Sequence, residues 1–341
     1  AELTLIDPGM LWYSGMATGM LSGQYSTSED TVDLGALCQR HGVQFHRGKV
    51  AALDREAREA YIESGETIRY DVLSLNVGSA VDASKLEDPS GLAWPVKPIA
   101  GLAELRTTLE DYARRGRPCS VGVVGGGPTG AEIAANIHAL FKARGGHVTV
   151  TILHAAGRLL PGFPERAADT LSRLLEARGI QVRLRTRVAR LKRSEERIRA
   201  ETVDGQELLF DEVVLATGLI PSPSISALGL GENGLRVDGR LAWQEDGAVF
   251  GAGDCISFAP RELPKVGVFG VREAPVLSDN LLTAVTGKEL RHYQPQQKFL
   301  IILNMGDGTG LAIRGKWHWH GRLAMKLKHF IDRRFMKRYQ S

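Results

Sequence analysis

Short apolar runs, each ended by glycine or a polar residue, recur along this chain. Residues 121–124 form one such run, and residues 147–153 form a second, with a small-residue helical pattern between them. Near-continuous apolar runs of this length are typical of parallel strands that are buried on both faces. Their alternation with helical segments predicts an α/β fold built around a parallel sheet.

The same pattern occurs twice. Residues 3–7 read like residues 150–154, and residues 70–78 read like residues 210–218, so two folds of one kind are predicted in tandem. Within each copy lies a stretch of alternating residues around a Ser-Gly or Asp-Gly turn, at residues 64–65 and 204–205. We therefore predict two Rossmann-like folds of the three-layer ββα type, followed by a small C-terminal α+β portion.

The second copy carries Gly125-x-Gly127-x-x-Gly130 between its first strand and its helix. In a dinucleotide site the first glycine permits a tight turn, the second lets the backbone approach a pyrophosphate, and the third packs helix against strand. The helix N-terminus then offers free N–H groups to the phosphates. A plain glycine-rich turn is the alternative, but the strand–helix–strand context favours a nucleotide site.

The first copy lacks this turn. Projecting back from Asp7 places it about 20 residues before the first residue given. We expect the chain to start at the second strand of its first fold, either as a fragment or as a form without the first glycine turn. In the latter case the affinity for a flavin would be low.

Composition excludes several classes of protein. A net charge of +4 is too small to indicate nucleic acid, and the three cysteines form no CxxC pair, which argues against a zinc site or a dithiol redox pair. No apolar run approaches the about 18 residues of a membrane span. We expect a cytoplasmic protein and no metal site.

Several motifs together resemble the flavoproteins with two dinucleotide-binding domains, the pyridine nucleotide–disulfide oxidoreductase superfamily. Within it the chain looks like type II NADH dehydrogenases, sulfide:quinone reductases and the branch associated with selenide, water dikinase. The motifs lie at residues 12–25, 216–218, 249–255, 264–275 and 332–339.

The resemblance implies FAD and NAD(P)H as cofactors and assigns roles to residues. Asp7 would bind the adenosine ribose of FAD, the backbone of Val50 the adenine, and Gly253 with Asp254 the pyrophosphate and ribityl chain. Lys265 would be the catalytic residue, favouring the anionic reduced flavin. Alternatively, Asp254 caps a helix predicted to follow it, and Lys265 is a solvated loop residue.

The NAD(P)H side leaves the choice of nucleotide open. Gly78 and Gly218, which end the repeated strands, complete the expected cofactor-binding set together with Glu132 and His154. Members of the superfamily that prefer NAD usually carry an acidic residue where this chain has His154. His154, with Arg158 nearby, would tolerate the 2′-phosphate of NADPH instead. The alternative for Glu132 is a solvated helix residue.

The implied function is an FAD-dependent NAD(P)H oxidoreductase, in which hydride passes to the flavin and on to a quinone or another small acceptor. Type II NADH dehydrogenases carry glutamines facing the quinone, where this chain has Val268 and Arg272. Two alternatives stay open: an accessory protein acting with selenide, water dikinase, and a sulfide- or selenium-handling oxidoreductase. The latter needs cysteines at the flavin, and Cys38, Cys119 and Cys255 are poorly placed.

Apolar residues at helical spacing, with Lys and Arg between them, predict a basic amphipathic helix over residues 321–339. Such a helix either lies on the cytoplasmic face of a membrane or packs its apolar stripe on the flavin domain or on a second subunit of a homodimer. The resemblance divides the chain into a flavin fold at 1–97 and 214–287, a NAD(P) fold at 98–213, and a C-terminal contact region at 288–341.

Overall fold

A computed structural model describes residues 2–340 of the chain. Its helices are α1 (Ala17–Leu21), α2 (Leu34–His41), α3 (Ala100–Arg114), α4 (Pro128–Ala143), α5 (Glu165–Glu176), α6 (Pro223–Ala227), α7 (Gly267–Thr286) and α8 (Arg322–Gln340). Its strands are β1 (Thr4–Asp7), β2 (Met10–Trp12), β3 (Thr31–Asp33), β4 (Gln44–Arg47), β5 (Val50–Asp54), β6 (Glu59–Ile62), β7 (Thr67–Arg69), β8 (Leu73–Leu75), β9 (Ser79–Val81), β10 (Ala93–Pro95), β11 (Cys119–Val124), β12 (Val148–Leu153), β13 (Gln181–Arg183), β14 (Val188–Ser194), β15 (Arg197–Thr202), β16 (Glu207–Phe210), β17 (Glu212–Leu215), β18 (Leu219–Pro221), β19 (Leu235–Val237), β20 (Val249–Gly251), β21 (Ile256–Phe258), β22 (Leu300–Asn304), β23 (Gly310–Arg314) and β24 (Trp317–Gly321).

A five-stranded parallel sheet forms the centre of the second fold, in the order β10-β17-β11-β12-β13. The apolar runs predicted as buried strands are β11 and β12, whose valine and isoleucine side chains suit a pleated surface that is covered on both faces. Helix α4 packs on this sheet, and so does the antiparallel sheet β14-β15-β16. Gly122 of β11 leaves room for the Phe210 ring of β16, because a Cβ there would lie 2.9 Å from the ring.

The repeat predicted from the sequence is confirmed. In the first fold β1 pairs with β4 and β8 pairs with β20, all in parallel, and β5-β6-β7 repeats the antiparallel sheet of the second fold. The two predicted turns are hairpins in which Gly65 and Gly205 adopt left-handed φ angles of 91° and 83°. The structure is the predicted α/β class with three-layer folds.

The pairing of β8 with β20 joins parts of the first fold that lie far apart in sequence, with the second fold between them. The parallel sheet of the second fold also includes β10, which lies before residue 98, and β17, which crosses the boundary at residue 213. The domain division given above remains a prediction.

One local prediction is wrong. No helix begins at Asp254: residues Gly253–Cys255 form a 3₁₀ turn that leads into β21, and the next helix, α7, begins at Gly267. The turn is stabilised from outside the local sequence, as described below.

The C-terminal portion is a small antiparallel sheet, β22-β23-β24, covered by α8. The apolar residues of α8 divide between two faces. Met325 and Met336 are buried, whereas Leu323, Leu327, Phe330 and Ile331 are exposed. These four side chains recur at helical spacing and form what we call the outer stripe of α8.

Candidate functional site

A cavity of about 350 Å³ lies at the carboxyl ends of β11, β12 and β17. Its walls are the glycine turn, the start of α4, the end of β12, and segments 186–188 and 216–219. Ligands of open α/β sheets bind at this edge, where the strands end and the helices begin. Gly125, Gly127, His154 and Gly218 all line the cavity.

The three motif glycines have distinct environments. Gly125 has a φ of +124°, and a Cβ there would lie 2.1 Å from the Ala216 carbonyl oxygen. A Cβ on Gly130 would lie 2.0 Å from the Gly125 carbonyl oxygen, so α4 approaches the turn too closely for any side chain. A Cβ on Gly127 would meet no described atom within 4 Å. The first and third glycines therefore shape the turn, and the second leaves its cavity side bare.

His154 follows β12 and turns its ring back onto the glycine turn. The Gly126 N–H donates to its Nδ1 at 3.0 Å, which places the remaining ring proton on Nε2. Burial lowers the pKa of His154, so the ring is neutral at pH 7. Within residues 2–340, Nε2 is buried and has no hydrogen-bond partner. His154 thus lines this cavity, with its Nε2 donor buried on the side of the Arg158 backbone, which partly offsets the effect of burial on the pKa of the ring.

Two other residues of this region turn away from the cavity. The Arg158 guanidinium donates to the carbonyl oxygens of Leu160 (3.4 Å) and Phe163 (2.9 Å), so its own loop occupies it. The carboxylate of Glu132 accepts from the Asn304 N–H at 2.7 Å and from the Thr18 hydroxyl at 3.3 Å. Glu132 therefore faces the C-terminal sheet and α1, where it is partly buried, and it is not part of the cavity wall.

A second polar cluster surrounds the Gly253–Asp254 turn. Asp254 Oδ2 accepts from Ser79 Oγ at 2.8 Å and from Lys97 Nζ at 3.0 Å. The Gly253 N–H donates to Glu273 Oε2 at 2.6 Å. These bonds explain why the turn forms without a helix after it.

Two titratable groups of this cluster are strongly affected by burial. Burial raises the pKa of Glu273 to about 7, since the side chain is almost wholly removed from water. Burial also lowers the pKa of Lys265, whose Nζ donates to the Ile256 carbonyl oxygen at 2.6 Å. Lys265 is thus half-buried beside the turn and is not a freely solvated lysine.

The other predicted flavin residues lie on the first fold. Asp7 ends β1 and accepts from the Gly9 N–H at 2.7 Å, while Val50 begins β5. Gly78, at φ +71°, lies between β8 and β9, next to the Ser79 that donates to Asp254. The predicted site residues therefore fall into the cavity, the Gly253–Asp254 cluster and the first fold, except for Gly130 and Glu132, which lie on α4 outside the cavity wall.

Sequence analysis missed Ser79, Lys97 and Glu273, because nothing local links them to Asp254. It also missed residues 186–188 of the cavity wall. For these a signal existed, since the repeat aligns residues 48–50, which include Val50, with residues 186–188.

The residues present fit both cofactors of the resemblance. A bare glycine turn at the start of a 16-residue helix, beside the orphaned buried donor of His154, suits a nucleotide pyrophosphate and ribose. The Asp254 carboxylate, held by two donors at the end of β20, suits a hydroxylated chain. No group of three or more possible metal ligands occurs among residues 2–340.

The three cysteines are free and buried on separate elements: Cys38 on α2, Cys119 on β11 and Cys255 in the 3₁₀ turn. Burial raises the pKa of each thiol. Along residues 2–340, no helix has the length and apolar character needed to cross a membrane.

Comparisons with known proteins identify the class. The sequence profile of the pyridine nucleotide-disulphide oxidoreductases matches residues 2–274. The chain belongs to this family, and it is an FAD-dependent oxidoreductase that uses NAD(P)H.

Individual relatives support this assignment. The chain is 27% identical to ferroptosis suppressor protein 1 of Homo sapiens, over 84% of this chain and 76% of that protein. It is 24% identical to the type II NADH:quinone oxidoreductase of Staphylococcus aureus, over 98% of this chain and 88% of that protein. The fold matches the sulfide:quinone oxidoreductase structure from Aquifex aeolicus with a TM-score of 0.82 at 16% identity, over 99% of this chain and 85% of that one.

Proposed function

We propose that this oxidoreductase passes electrons from NAD(P)H to a quinone, as a type II NADH dehydrogenase-like enzyme that works at a membrane surface. The observation that carries the proposal is the outer stripe of α8. Leu323 is 76% exposed and Phe330 is 62% exposed, which a helix packed only within its own chain would not require. The similarity to the Staphylococcus aureus enzyme extends over nearly the whole chain.

The charged residues of α8 also suit a membrane surface. Arg333, Arg334, Lys337 and Arg338 line an open concavity on this helix, together with His329 and Phe330. Apolar side chains beside cations are the pattern of a helix that lies in an anionic membrane interface. A membrane-bound position gives access to quinones, which are dissolved in lipid.

Within the chain we assign each group of residues a task. The bare turn at Gly125–Gly127 and the start of α4 bind the pyrophosphate of NAD(P)H, with Gly130 holding the helix close. Gly253 and Asp254, oriented by Ser79 and Lys97, hold the ribityl region of FAD. Bound FAD supplies the hydride-accepting and electron-passing chemistry. Lys265 places a positive charge beside it, and Asp7 and Val50 face its adenosine.

The two alternative functions have less support. A sulfide- or selenium-handling enzyme that uses cysteine needs two thiols at one place, whereas the three cysteines here are buried on separate elements. No feature of residues 2–340 favours an accessory role beside selenide, water dikinase.

The first test is an anaerobic absorbance spectrum of the purified protein before and after NADH or NADPH. Oxidised flavin itself absorbs at ~370 and ~450 nm. We expect these two bands to bleach when the nucleotide is added. Adding a short-chain ubiquinone should restore them within one turnover. Bleaching without reoxidation by quinone would sink the acceptor proposal, and a protein that binds no flavin would contradict the proposed site.

The second test is sedimentation with vesicles of phosphatidylcholine containing phosphatidylglycerol. The chain should bind, and the double variant Leu323→Ser/Phe330→Ser should bind at least about tenfold more weakly, since burying each side chain is worth about 1.5–3 kcal/mol. The matched control is Leu209→Ser, an exposed apolar residue on β16, which should leave binding unchanged. Equal binding by the double variant would refute membrane docking through α8.

A further inference from the structure

The cavity wall around His154 lacks the hydrogen-bond acceptor that is usual at the end of this strand. In enzymes that prefer NADH, an acceptor at the end of this strand takes a hydrogen bond from the ribose 2′-hydroxyl. In this chain Nδ1 of His154 already accepts from Gly126, and Nε2, which lies buried on the side of the Arg158 backbone, can only donate. The end of β12 therefore has no side-chain acceptor for a 2′-hydroxyl.

Two arginines lie on the segment that runs past His154. Arg187 lines the same cavity, and Arg185 lies across the loop after β12, with its Nε 3.6 Å from where a Cβ of Gly157 would be. Backbone hydrogen bonds hold this segment in place: the Arg185 N–H donates to the Ala156 carbonyl (3.0 Å), the Thr186 N–H donates to the His154 carbonyl (2.9 Å), and the Arg187 carbonyl accepts from the Val203 N–H (2.9 Å). Segment 185–187 thus runs along the loop that follows His154.

The two guanidinium groups have no carboxylate of their own. Within the described part of the chain, neither Arg185 nor Arg187 makes a side-chain hydrogen bond or ion pair. Asp82 is the one acidic residue in the cavity wall as described, and it accepts from the Ser84 N–H and hydroxyl beside Gly218. Other arginines nearby, such as Arg190 with Glu87, are paired.

We propose that His154, Arg185 and Arg187 form a binding site for a ribose 2′-phosphate, so that the chain binds NADPH in preference to NADH. A phosphate carries acceptor oxygens only, which matches a wall of donors. Arginine binds phosphate through two parallel N–H groups. The inference rests on the proposed placement of NAD(P)H in this cavity, and it adds the choice of nucleotide.

The test is calorimetric binding of adenosine 2′,5′-bisphosphate and of adenosine 5′-monophosphate to the purified protein, which needs no turnover. We expect the bisphosphate to bind at least about tenfold more tightly, because hydrogen bonds to a charged phosphate are stronger than those to a neutral hydroxyl. The ratio of the two affinities should fall toward one in Arg187→Gln and in Arg185→Gln. Arg314→Gln, which removes an exposed charge on β23, is the matched control and should keep the ratio.

A second variant tests the histidine. His154→Glu still offers an acceptor to the Gly126 N–H but places a negative charge at the 2′ position, so it should reverse the preference. Melting curves of all variants establish that each is folded. Arg187→Lys keeps a positive charge but not the two parallel N–H donors. It should therefore retain part of the preference for the bisphosphate.

The outcomes separate this inference from the proposed function. Equal affinities for the two nucleotides in the unaltered protein, with flavin still reduced by NADH, would overturn the 2′-phosphate site and leave the oxidoreductase assignment intact. A preference that survives both arginine variants would also overturn it. Binding of neither nucleotide would overturn the cavity as the NAD(P)H site, and the inference with it.

Discussion

At the scale of single residues, the glycine turn shows that one motif contains different physical demands. Gly125 and Gly130 are required by backbone contacts that leave no space for a Cβ. Gly127 has open space and an extended backbone at φ −77°, which other residues adopt without strain. Stability and ligand binding should therefore separate at neighbouring positions.

We expect Gly130→Ala to destabilise the protein by about 1–3 kcal/mol or more, because overpacking forces the helix or the turn to shift. Gly127→Ala should leave the melting temperature nearly unchanged and should weaken the binding of adenosine 5′-diphosphate. Thermal unfolding and calorimetry on the same samples check both. Equal destabilisation by the two variants would show that the turn is not built as described.

Glu273 is a buried carboxyl at 1% exposure whose pKa burial raises from its ordinary 4.5 to about 7. Between these two pH values the folded protein keeps a proton that the unfolded chain releases. Stability therefore falls as pH rises through this window and is greatest below it.

Glu273→Gln removes this titration and keeps an acceptor for the Gly253 N–H. From pH 5 to pH 8 the unaltered protein should lose up to about 3 kcal/mol of unfolding free energy relative to the variant, at about 1.4 kcal/mol for each pKa unit. Urea unfolding at several pH values measures the difference. The exposed replacement Glu289→Gln should run parallel to the unaltered protein, and a parallel Glu273→Gln profile would contradict the raised pKa.

At the scale of elements, α8 resolves two interpretations of one apolar pattern. The periodicity of apolar residues does not by itself show whether an apolar face packs on the protein or on another surface. Helix α8 has one apolar face of each kind. Met325 and Met336 pack inward, while Leu323, Leu327, Phe330 and Ile331 form the outer stripe. The helix is long enough to serve its own core and a second surface.

Met336→Ala should lower the free energy of unfolding by about 2–5 kcal/mol, since it leaves a cavity under the helix. Phe330→Ser, on the outer stripe, should change it by no more than about 0.5 kcal/mol. Chemical denaturation of the two variants provides the comparison. A large loss for Phe330→Ser would mean that the outer stripe is part of the folded core and not a docking surface.

At the scale of the whole molecule, Glu132 joins three parts that are distant in sequence. It lies on α4, accepts from Asn304 at the end of β22 and from Thr18 on α1, and its neighbour Asn136 donates to the Asn304 carbonyl at 3.0 Å. Burial raises the pKa of Glu132, and Lys328 on α8 acts in the opposite direction. The second fold, the N-terminal segment and the C-terminal portion therefore meet at one carboxyl.

Glu132→Ala should cost about 1–3 kcal/mol, because the Asn304 N–H and the Thr18 hydroxyl lose their acceptor. Glu132→Gln keeps an acceptor and should cost less. Neither should alter the affinity for adenosine 5′-diphosphate, measured alongside urea unfolding. Weakened nucleotide binding with normal stability would instead support the cofactor-binding role predicted for Glu132 from the sequence.

The sequence by itself determined the class of protein, the repeat, the hairpins and the glycine turn. Each of these depends on short segments, where strand burial, turn geometry and helix packing leave a local pattern. Only the tertiary structure decided that Lys97, Ser79 and Glu273 stabilise the Gly253–Asp254 turn, that Glu132 faces away from the cavity, and that Nδ1 of His154 is already used. Those outcomes depend on hydrogen bonds between residues up to 175 positions apart, and such partners leave no periodic signal in the chain.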